Sequence, residues 1–260
     1  MRIAIGVEYD GTAYNGWQRQ RNGAGIQEQL EAAVAAVADH ELELSCAGRT
    51  DAGVHASGQV AHFDTQSRRS DRGWLLGVNS LLPDDINLVW VRRVDPAFHA
   101  RYSATARSYR YLILNQLVRS ALFRHRAWWV HEPLDADTMH AAAQRLVGEH
   151  DFSAFRAAGC QASSPIRELR SIEVRREAAW IVLHVTANAF LQHMVRNITG
   201  SLAAIGTGRR SGAWLADVLD SRDRRSAGVA APPQGLTLID VSYPDAYGLP
   251  DASKLGSSLL

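Results

Sequence analysis

The sequence predicts an α+β protein built from two ferredoxin-like halves, each with the element order β-α-β-β-α-β. Short segments with alternating apolar residues, typical of half-buried strands, are interspersed with longer segments whose apolar residues recur at helical spacing. This order occurs twice along the 260 residues, which are enough to build a core in each half. We therefore expect an internal duplication, with the two sheets side by side around a central cleft.

The first half comprises residues 1 to 106. Alternation in RIAIGVEY predicts a strand, and after a polar, glycine-rich loop the apolar spacing in IQEQLEAAVAAVA predicts a helix. Two further strands are expected on either side of the loop GRTDAGVH, followed by a helix that Pro83 ends and by a last strand. The predicted strands are 2 to 9, 41 to 47, 59 to 65 and 87 to 94, and the predicted helices are 26 to 38 and 72 to 82.

The second half comprises residues 107 to 247 and repeats the order with longer connections. Its first helix has Asp135 as the expected N-cap and ends at Gly148. A hairpin is expected to turn at Ala178 and Ala179. The predicted strands are 108 to 115, 168 to 177, 180 to 188 and 236 to 244, and the predicted helices are 135 to 148, 192 to 206 and 212 to 220. Residues 248 to 260 lack periodicity, so we expect a mobile tail.

The composition is that of an ordinary globular protein, with 46% hydrophobic and 21% charged residues. No apolar run is long enough to cross a bilayer, and Met1 leads directly into an alternating segment, so a cytoplasmic location is expected. The two cysteines, Cys46 and Cys160, are too few for a disulfide framework and lack metal-ligand spacing. We expect both to be buried or half-buried apolar residues.

A basic stretch runs from Arg92 to Arg126, with eight arginines and one acid, Asp95. Arginine binds phosphate through a planar fork and also stacks on bases, and aromatic residues between arginines are typical of nucleic-acid surfaces. Simple strand alternation, with aromatics inward and arginines outward, explains the same pattern. The interleaved aromatics are Phe98, Tyr102, Tyr109, Tyr111, Phe123, Trp128 and Trp129.

The loop GRTDAGVH places Asp51 two residues after Arg49 and beside small residues. A loop aspartate is usually a turn former or a helix N-cap. Here the adjacent guanidinium favours the ionised carboxylate, and the glycines permit close approach by a ligand. An ionised aspartate can act as a nucleophile, so Asp51 is the leading catalytic candidate.

Other chemistries receive weaker support from the sequence. His55 and His62 together with Asp51 suggest a metal-assisted hydrolase, but their spacing fits no standard ligand pattern. No hydrolase elbow, Walker loop or dinucleotide fingerprint accompanies a strand-helix junction, so no cofactor is predicted. A non-catalytic RNA-binding protein with two ferredoxin-like sheets is a second alternative, although the aromatic pairs of RNA recognition modules are not found.

Five ordered motifs closely resemble the bacterial tRNA pseudouridine synthase A (TruA) family. The resemblance extends from about Arg2 to about Tyr247. The commonest form of the middle motif has Arg where this chain has Ser108, which puts one phosphate contact in doubt. The motifs are YDGTAYNGWQRQ, GRTDAGVHA, FHARYSATARSYRY, NAFLQHMVRN and GLTL.

The resemblance implies roles for individual residues. Asp51 is the catalytic residue, Tyr109 packs against the target base, Arg196 pairs with the catalytic aspartate, and Leu236 closes the base pocket. Arg49, from the same motif as Asp51, is expected to bind the substrate. The implied fold is the two-half architecture described above, with a catalytic cleft.

The implied activity is isomerisation of uridine to pseudouridine at positions 38 to 40 of the tRNA anticodon arm. The family needs no cofactor and acts as a homodimer whose tRNA contacts come from both subunits. The target uridine has to leave its helical stack to reach the aspartate. Whether Asp51 attacks C6 of the base or assists departure from C1′ stays open at this stage.

Overall fold

The computed structural model describes residues 1 to 20 and 23 to 250, and its fold is mixed α+β, as predicted. The first elements are β1 (Arg2–Tyr9), α1 (Ile26–Ala38), β2 (Ser45–Cys46), β3 (His55–Asp64), α2 (Asp71–Asn79) and β4 (Ile86–Val94). They are followed by β5 (Ala106–Asn115), β6 (Trp128–Val130), α3 (Ala136–Ala143), β7 (Gly148–Asp151), β8 (Ile166–Glu177), β9 (Trp180–Ala187), α4 (Met194–Gly206), α5 (Trp214–Ser221) and β10 (Leu236–Ser242).

The chain divides into two compact units, of which the first contains residues 1 to 106 and the described residues from Leu238 onward. Its sheet has the order β4-β1-β3-β10, and β2 also pairs with β3. Strand β1 runs antiparallel to both β3 and β4, which places Ile5 opposite Ala61 and Val91. Helices α1 and α2 pack together, and α2 also packs on β4.

Helix α2 in the first unit begins at a side-chain cap and ends earlier than the sequence predicts. Ser70 caps α2, because its Oγ accepts a hydrogen bond from the Gly73 N–H at 3.0 Å. The helix ends at Asn79, three residues before the predicted end, because the Asn79 side chain binds both backbone groups of Leu88 at 2.7 and 2.9 Å. The side chain of Asn79 thus ties the helix end to β4.

The second unit contains residues 107 to 237. Its sheet has the order β5-β9-β8-β7, with the short strand β6 parallel to β5. Helix α3 packs on β8 and on α4. Asp135 is the N-cap of α3, accepting from the N–H groups of Asp137 and Thr138 at 3.0 Å each. The hairpin between β8 and β9 turns at Ala178, whose φ of 54° is left-handed.

Several predicted elements differ from the structure, most of all where their limits depend on distant partners. Strand β2 has two residues where the sequence predicts seven, and β3 begins four residues early, at His55. Helix α3 stops at Ala143, because a 3₁₀ turn and then Gly148, with φ of 113°, lead into the unpredicted strand β7. Strand β6 was likewise not predicted.

The predicted limit between the second half and the tail also changes. Residues from Leu238 onward group with the first unit rather than with residues 107 to 237, because β10 pairs with β3. The pairing is close at Gly58, where an added Cβ would lie 2.2 Å from the Ile239 carbonyl oxygen. Most of the predicted mobile tail, residues 251 to 260, lies outside the described residues. The internal duplication and the central cleft stay predictions.

None of the helices in residues 1 to 20 and 23 to 250 combines the length and apolarity that crossing a membrane requires.

Candidate active site

Asp51 lies in the connection between β2 and β3, on a tight turn rather than at a helix start. The Val54 N–H donates to the Asp51 carbonyl oxygen at 3.1 Å, and Gly53 adopts a φ of 75°. A strand follows, so the helix N-cap interpretation of Asp51 is wrong. The carboxylate is partly buried, and Arg49, two residues earlier, is exposed.

The glycine-rich segment after β1 packs directly against this turn. The Trp17 N–H donates to the Thr50 carbonyl at 3.0 Å, and the Gly53 N–H donates to the Tyr14 carbonyl at 3.2 Å. A Cβ on Gly11 would lie 2.0 Å from the Val54 carbonyl oxygen. The glycine therefore permits the two backbones to approach each other.

Gly16 is the second glycine that this packing requires. Its φ of 96° is in the left-handed region, and a Cβ there would lie 2.4 Å from the Thr50 carbonyl oxygen. Two separate constraints, conformation and space, thus require glycine one residue before Trp17.

Buried polar side chains form hydrogen bonds with the first residues of this loop. The Gln59 amide is fully buried, and its Nε2 donates to the Gly48 carbonyl at 2.6 Å while its Oε1 accepts from the Gly48 N–H at 3.4 Å. The hydroxyls of Tyr9 and Thr50 lie 2.8 Å apart in a buried hydrogen bond. Sequence reasoning missed Gln59 and Tyr9. The available signal was Gln59 at an inward-facing position of an apolar strand, because a buried amide needs hydrogen-bond partners.

The two histidines near this loop contact backbone and side-chain groups of the first unit. The His55 Nδ1 atom lies 3.1 Å from both the Gly11 nitrogen and Oδ1 of Asp10. The His62 Nδ1 accepts from the Ala100 N–H at 3.2 Å, and burial lowers the pKa of His62 to about 4. Within the described residues, no three His, Cys, Asp or Glu side chains are grouped as a metal site.

Two guanidinium groups contribute positive charge beside the strand that leads into the loop. Burial raises the pKa of the Cys46 thiol to about 12, while the charges of Arg49 and Arg101 act in the opposite direction. Both guanidiniums therefore act electrostatically on the same thiol.

Tyr109 lies in the second unit, on β5 opposite Val185. Its ring is 8% exposed and meets Phe190 edge-on, with the ring centroids 5.1 Å apart. Ser108, where the family pattern has Arg, pairs with Thr186 on β9 through hydroxyls 2.8 Å apart. On this strand the alternation holds only for the aromatics, because Tyr109 and Tyr111 are buried but Arg107 is buried as well.

Arg196 lies in the first turn of α4, after His193 in a left-handed conformation with φ of 62°. The Arg196 Nε donates to the Ala231 carbonyl at 2.8 Å, and its own carbonyl accepts from the Ala231 N–H at 2.9 Å. Its charge also reaches Tyr111, where it opposes the rise in pKa that burial causes. The segment around Ala231 therefore positions the guanidinium.

Leu236 ends the same segment, after a 3₁₀ turn, and is 6% exposed. The Tyr111 hydroxyl donates to the Pro232 carbonyl at 2.6 Å, and Gly235 lies against the Tyr111 ring. Arg196, Leu236 and Tyr111 thus share one neighbourhood in the second unit. Asp51 and Arg49 share a loop in the first.

Comparison with known proteins shows which family this chain belongs to. The profile of the family described as tRNA pseudouridine synthase matches residues 5 to 103 and 142 to 244. The matched ranges include Asp51, Arg49, Arg196 and Leu236, whereas Tyr109 lies between them.

Curated relatives match over almost the whole chain. The tRNA pseudouridine synthase A of Methylococcus capsulatus is 54% identical over 249 residues, which cover 96% of this chain and 92% of the relative. That of Aeromonas hydrophila is 54% identical over 250 residues, covering 96% and 93%. That of Coxiella burnetii is 52% identical over 249 residues, covering 96% and 95%. The family prediction is confirmed: the chain belongs to the tRNA pseudouridine synthase family.

Proposed function

We propose that this protein isomerises uridine to pseudouridine in the anticodon arm of tRNA, at positions 38 to 40. The observation that carries the proposal is membership in the synthase family together with an aspartate, Asp51, on a turn held by buried partners. In this reaction the C1′–N1 bond breaks and a C1′–C5 bond forms. The C5 position loses a proton and N1 gains one, so no redox partner or group donor is needed.

Asp51 is the proposed catalytic residue. A carboxylate on a rigid turn can add to C6 of the base or assist departure of the base from C1′, and both routes require accurate placement. The hydrogen bonds of Gly48, Thr50 and Gly53 to other segments hold this turn, which supports the proposed role. Preorganisation of this kind keeps a reacting group near its productive geometry.

Four residues besides Asp51 have proposed roles toward the substrate or the catalytic carboxylate. Tyr109 packs against the flipped base, Leu236 closes its pocket, Arg196 is the positive partner of Asp51, and Arg49 binds the RNA backbone. Support for these roles is the burial of Tyr109 and Leu236, the fixed Arg196 guanidinium and the exposed Arg49.

The basic stretch supports RNA binding only in part. Arg107 is buried and donates to the Asn188 carbonyl at 2.9 Å, and burial lowers the pKa of the half-buried Arg110. These two arginines therefore belong to the interior of the second unit more than to its surface. The exposed arginines of the stretch are Arg92, Arg93, Arg101, Arg119, Arg124 and Arg126.

The proposed assembly is a homodimer in the cytoplasm. The second unit exposes four large apolar side chains between residues 117 and 129, here called the apolar patch: Leu117, Val118, Leu122 and Trp129 have exposed fractions of 81%, 68%, 85% and 40%. Large exposed apolar groups close together are typical of interaction surfaces. A second copy of this chain is the proposed occupant of this apolar patch.

The test is pseudouridine formation in an unmodified tRNA transcript. Wild-type protein should convert anticodon-arm uridines without added cofactor, and Asp51→Asn should convert none while binding the transcript with nearly unchanged affinity. Binding persists because it depends mainly on phosphate contacts spread over many arginines. Conversion by Asp51→Asn at the wild-type rate would remove Asp51 from the mechanism, and no conversion by folded wild-type protein would contradict the proposed function.

A further inference from the structure

Four aromatic rings form a row from the interior of the first unit to its surface. Phe98 is fully buried and meets His62 at a centroid distance of 5.9 Å. His62 meets His99 at 4.6 Å, and His99 meets Tyr102 at 4.3 Å. Tyr102 ends the row with 76% of its surface exposed. Most of the Tyr102 ring therefore faces solvent, and its other side packs against His99, the next ring of the row.

The backbone turn that carries Tyr102 is held by the same histidine. The His99 Nδ1 accepts from the N–H groups of Arg101 and Tyr102 at 3.1 and 3.3 Å. The backbone N–H of His99 donates to the Ser103 hydroxyl at 2.9 Å, and the Ser103 N–H donates back to the His99 carbonyl at 2.9 Å. Burial, together with the charges of Arg2 and Arg101, lowers the pKa of His99, which favours the neutral ring that can accept these bonds.

A positive charge accompanies the exposed ring. The Arg101 Cζ lies 5.6 Å from the Tyr102 ring centroid, and Arg101 is itself exposed. The same guanidinium acts on Cys46 together with Arg49, at the start of the loop that carries Asp51. A preformed ring beside an arginine fork offers stacking for a base and charge for its phosphate.

We propose that Tyr102 is a stacking platform for an unpaired base of the RNA substrate, with Arg101 binding the neighbouring phosphate. The inference rests on the proposed function, since it names where this synthase holds its tRNA away from the reacting uridine. The rigid turn matters because a ring that is already ordered loses little conformational entropy when a base stacks on it. Stacking on an aromatic ring is tolerant of base identity.

The experiment measures the dissociation constant for an unmodified tRNA transcript over a series of salt concentrations. Tyr102→Ala should weaken binding about 10-fold with an unchanged salt slope, and Tyr102→Phe should bind like wild type, because the ring and not the hydroxyl stacks. Arg101→Ala should reduce the salt slope by about one. Leu81→Ala, which truncates another exposed side chain of the same unit, is the control and should bind like wild type.

A second comparison identifies the base as the partner of the ring. Wild type should bind a short oligouridine more tightly than a ribose-phosphate strand of equal length without bases, and this preference should shrink about 10-fold in Tyr102→Ala. Unchanged tRNA affinity in Tyr102→Ala, equal losses in the Phe and Ala variants, or an undiminished preference for the strand with bases would overturn the inference. Failure of wild type to form pseudouridine would instead contradict the proposed function, because these binding measurements do not depend on turnover.

Discussion

Two surface loops of this protein are built in opposite ways. The loop of residues 47 to 54 is held by partners from other segments, including the buried amide of Gln59 and the hydroxyl of Tyr9. The segment of residues 116 to 126 has short-range side-chain hydrogen bonds, from Gln116 to Val118 and from Arg124 to Ala121, and it contacts other segments through the Gln116 carbonyl, which accepts from the Trp129 indole, and the Phe123 ring, which meets Trp180. The first loop places a carboxylate, and the second exposes apolar surface.

The difference shows what each function demands of a loop. A reacting group has to stay within a fraction of an ångström of its productive position, so long-range bonds are used to fix it. A surface proposed to meet a partner needs apolar area more than accuracy, because association is driven largely by the burial of that area. Mutations should therefore affect catalysis in the first loop and assembly in the second.

The largest effect in this comparison is expected at Gly16. Gly16→Ala should lower the free energy of unfolding by about 3 kcal/mol, because a left-handed residue acquires a Cβ that also collides with the Thr50 carbonyl. Turnover should fall on the order of 100-fold if the backbone of the Asp51 turn moves by about 1 Å. Urea unfolding and single-turnover assays measure the two effects.

Gly208 provides the matched control for Gly16. Its φ of 75° is also left-handed, but a Cβ there would meet nothing within 4 Å. Gly208→Ala should therefore lose only about 1 kcal/mol from conformational strain and keep wild-type turnover. Equal losses in the two variants would show that the collision with Thr50 contributes nothing.

A smaller effect is expected at Gln59. Gln59→Leu removes the buried amide that pairs with both half-buried backbone groups of Gly48, which should reduce the free energy of unfolding by about 1 to 3 kcal/mol and slow turnover. Gln116→Leu is the control from the second loop, because its amide donates to a carbonyl on an exposed surface. A Gln59→Leu variant with wild-type stability and turnover would mean that Gly48 finds other partners or needs none.

The smallest effect on stability, and the clearest on assembly, is expected at Leu122. Leu122→Asp should change the free energy of unfolding by less than about 0.5 kcal/mol, since the side chain is 85% exposed. Sedimentation velocity should show a shift from dimer to monomer, whereas Leu76→Asp, an exposed leucine of the first unit, should leave the dimer intact. A Leu122→Asp dimer as tight as wild type would place the interface elsewhere.

Features that depend on neighbours in the chain could be predicted from the sequence. Helix α1 has the predicted limits, Ile26–Ala38, because its apolar spacing and its ends are local properties. Asp135 caps α3, and the hairpin turns at Ala178. Five ordered motifs, including the one around Asp51, predicted the family that the comparisons confirm.

Only the tertiary structure decided what depends on residues far apart in the chain. Periodicity does not show which strand pairs with β10, or that Gly16 and Thr50 touch, because a repeat of side chains carries no record of its neighbour in space. Periodicity also does not show that Arg107, which has the chemistry of an RNA contact, is buried and donates to the carbonyl of Asn188. Nor does it show that Tyr102 ends the row of rings at the surface. Sequence determines the chemistry a side chain carries, whereas packing determines whether that chemistry faces the interior or the solvent.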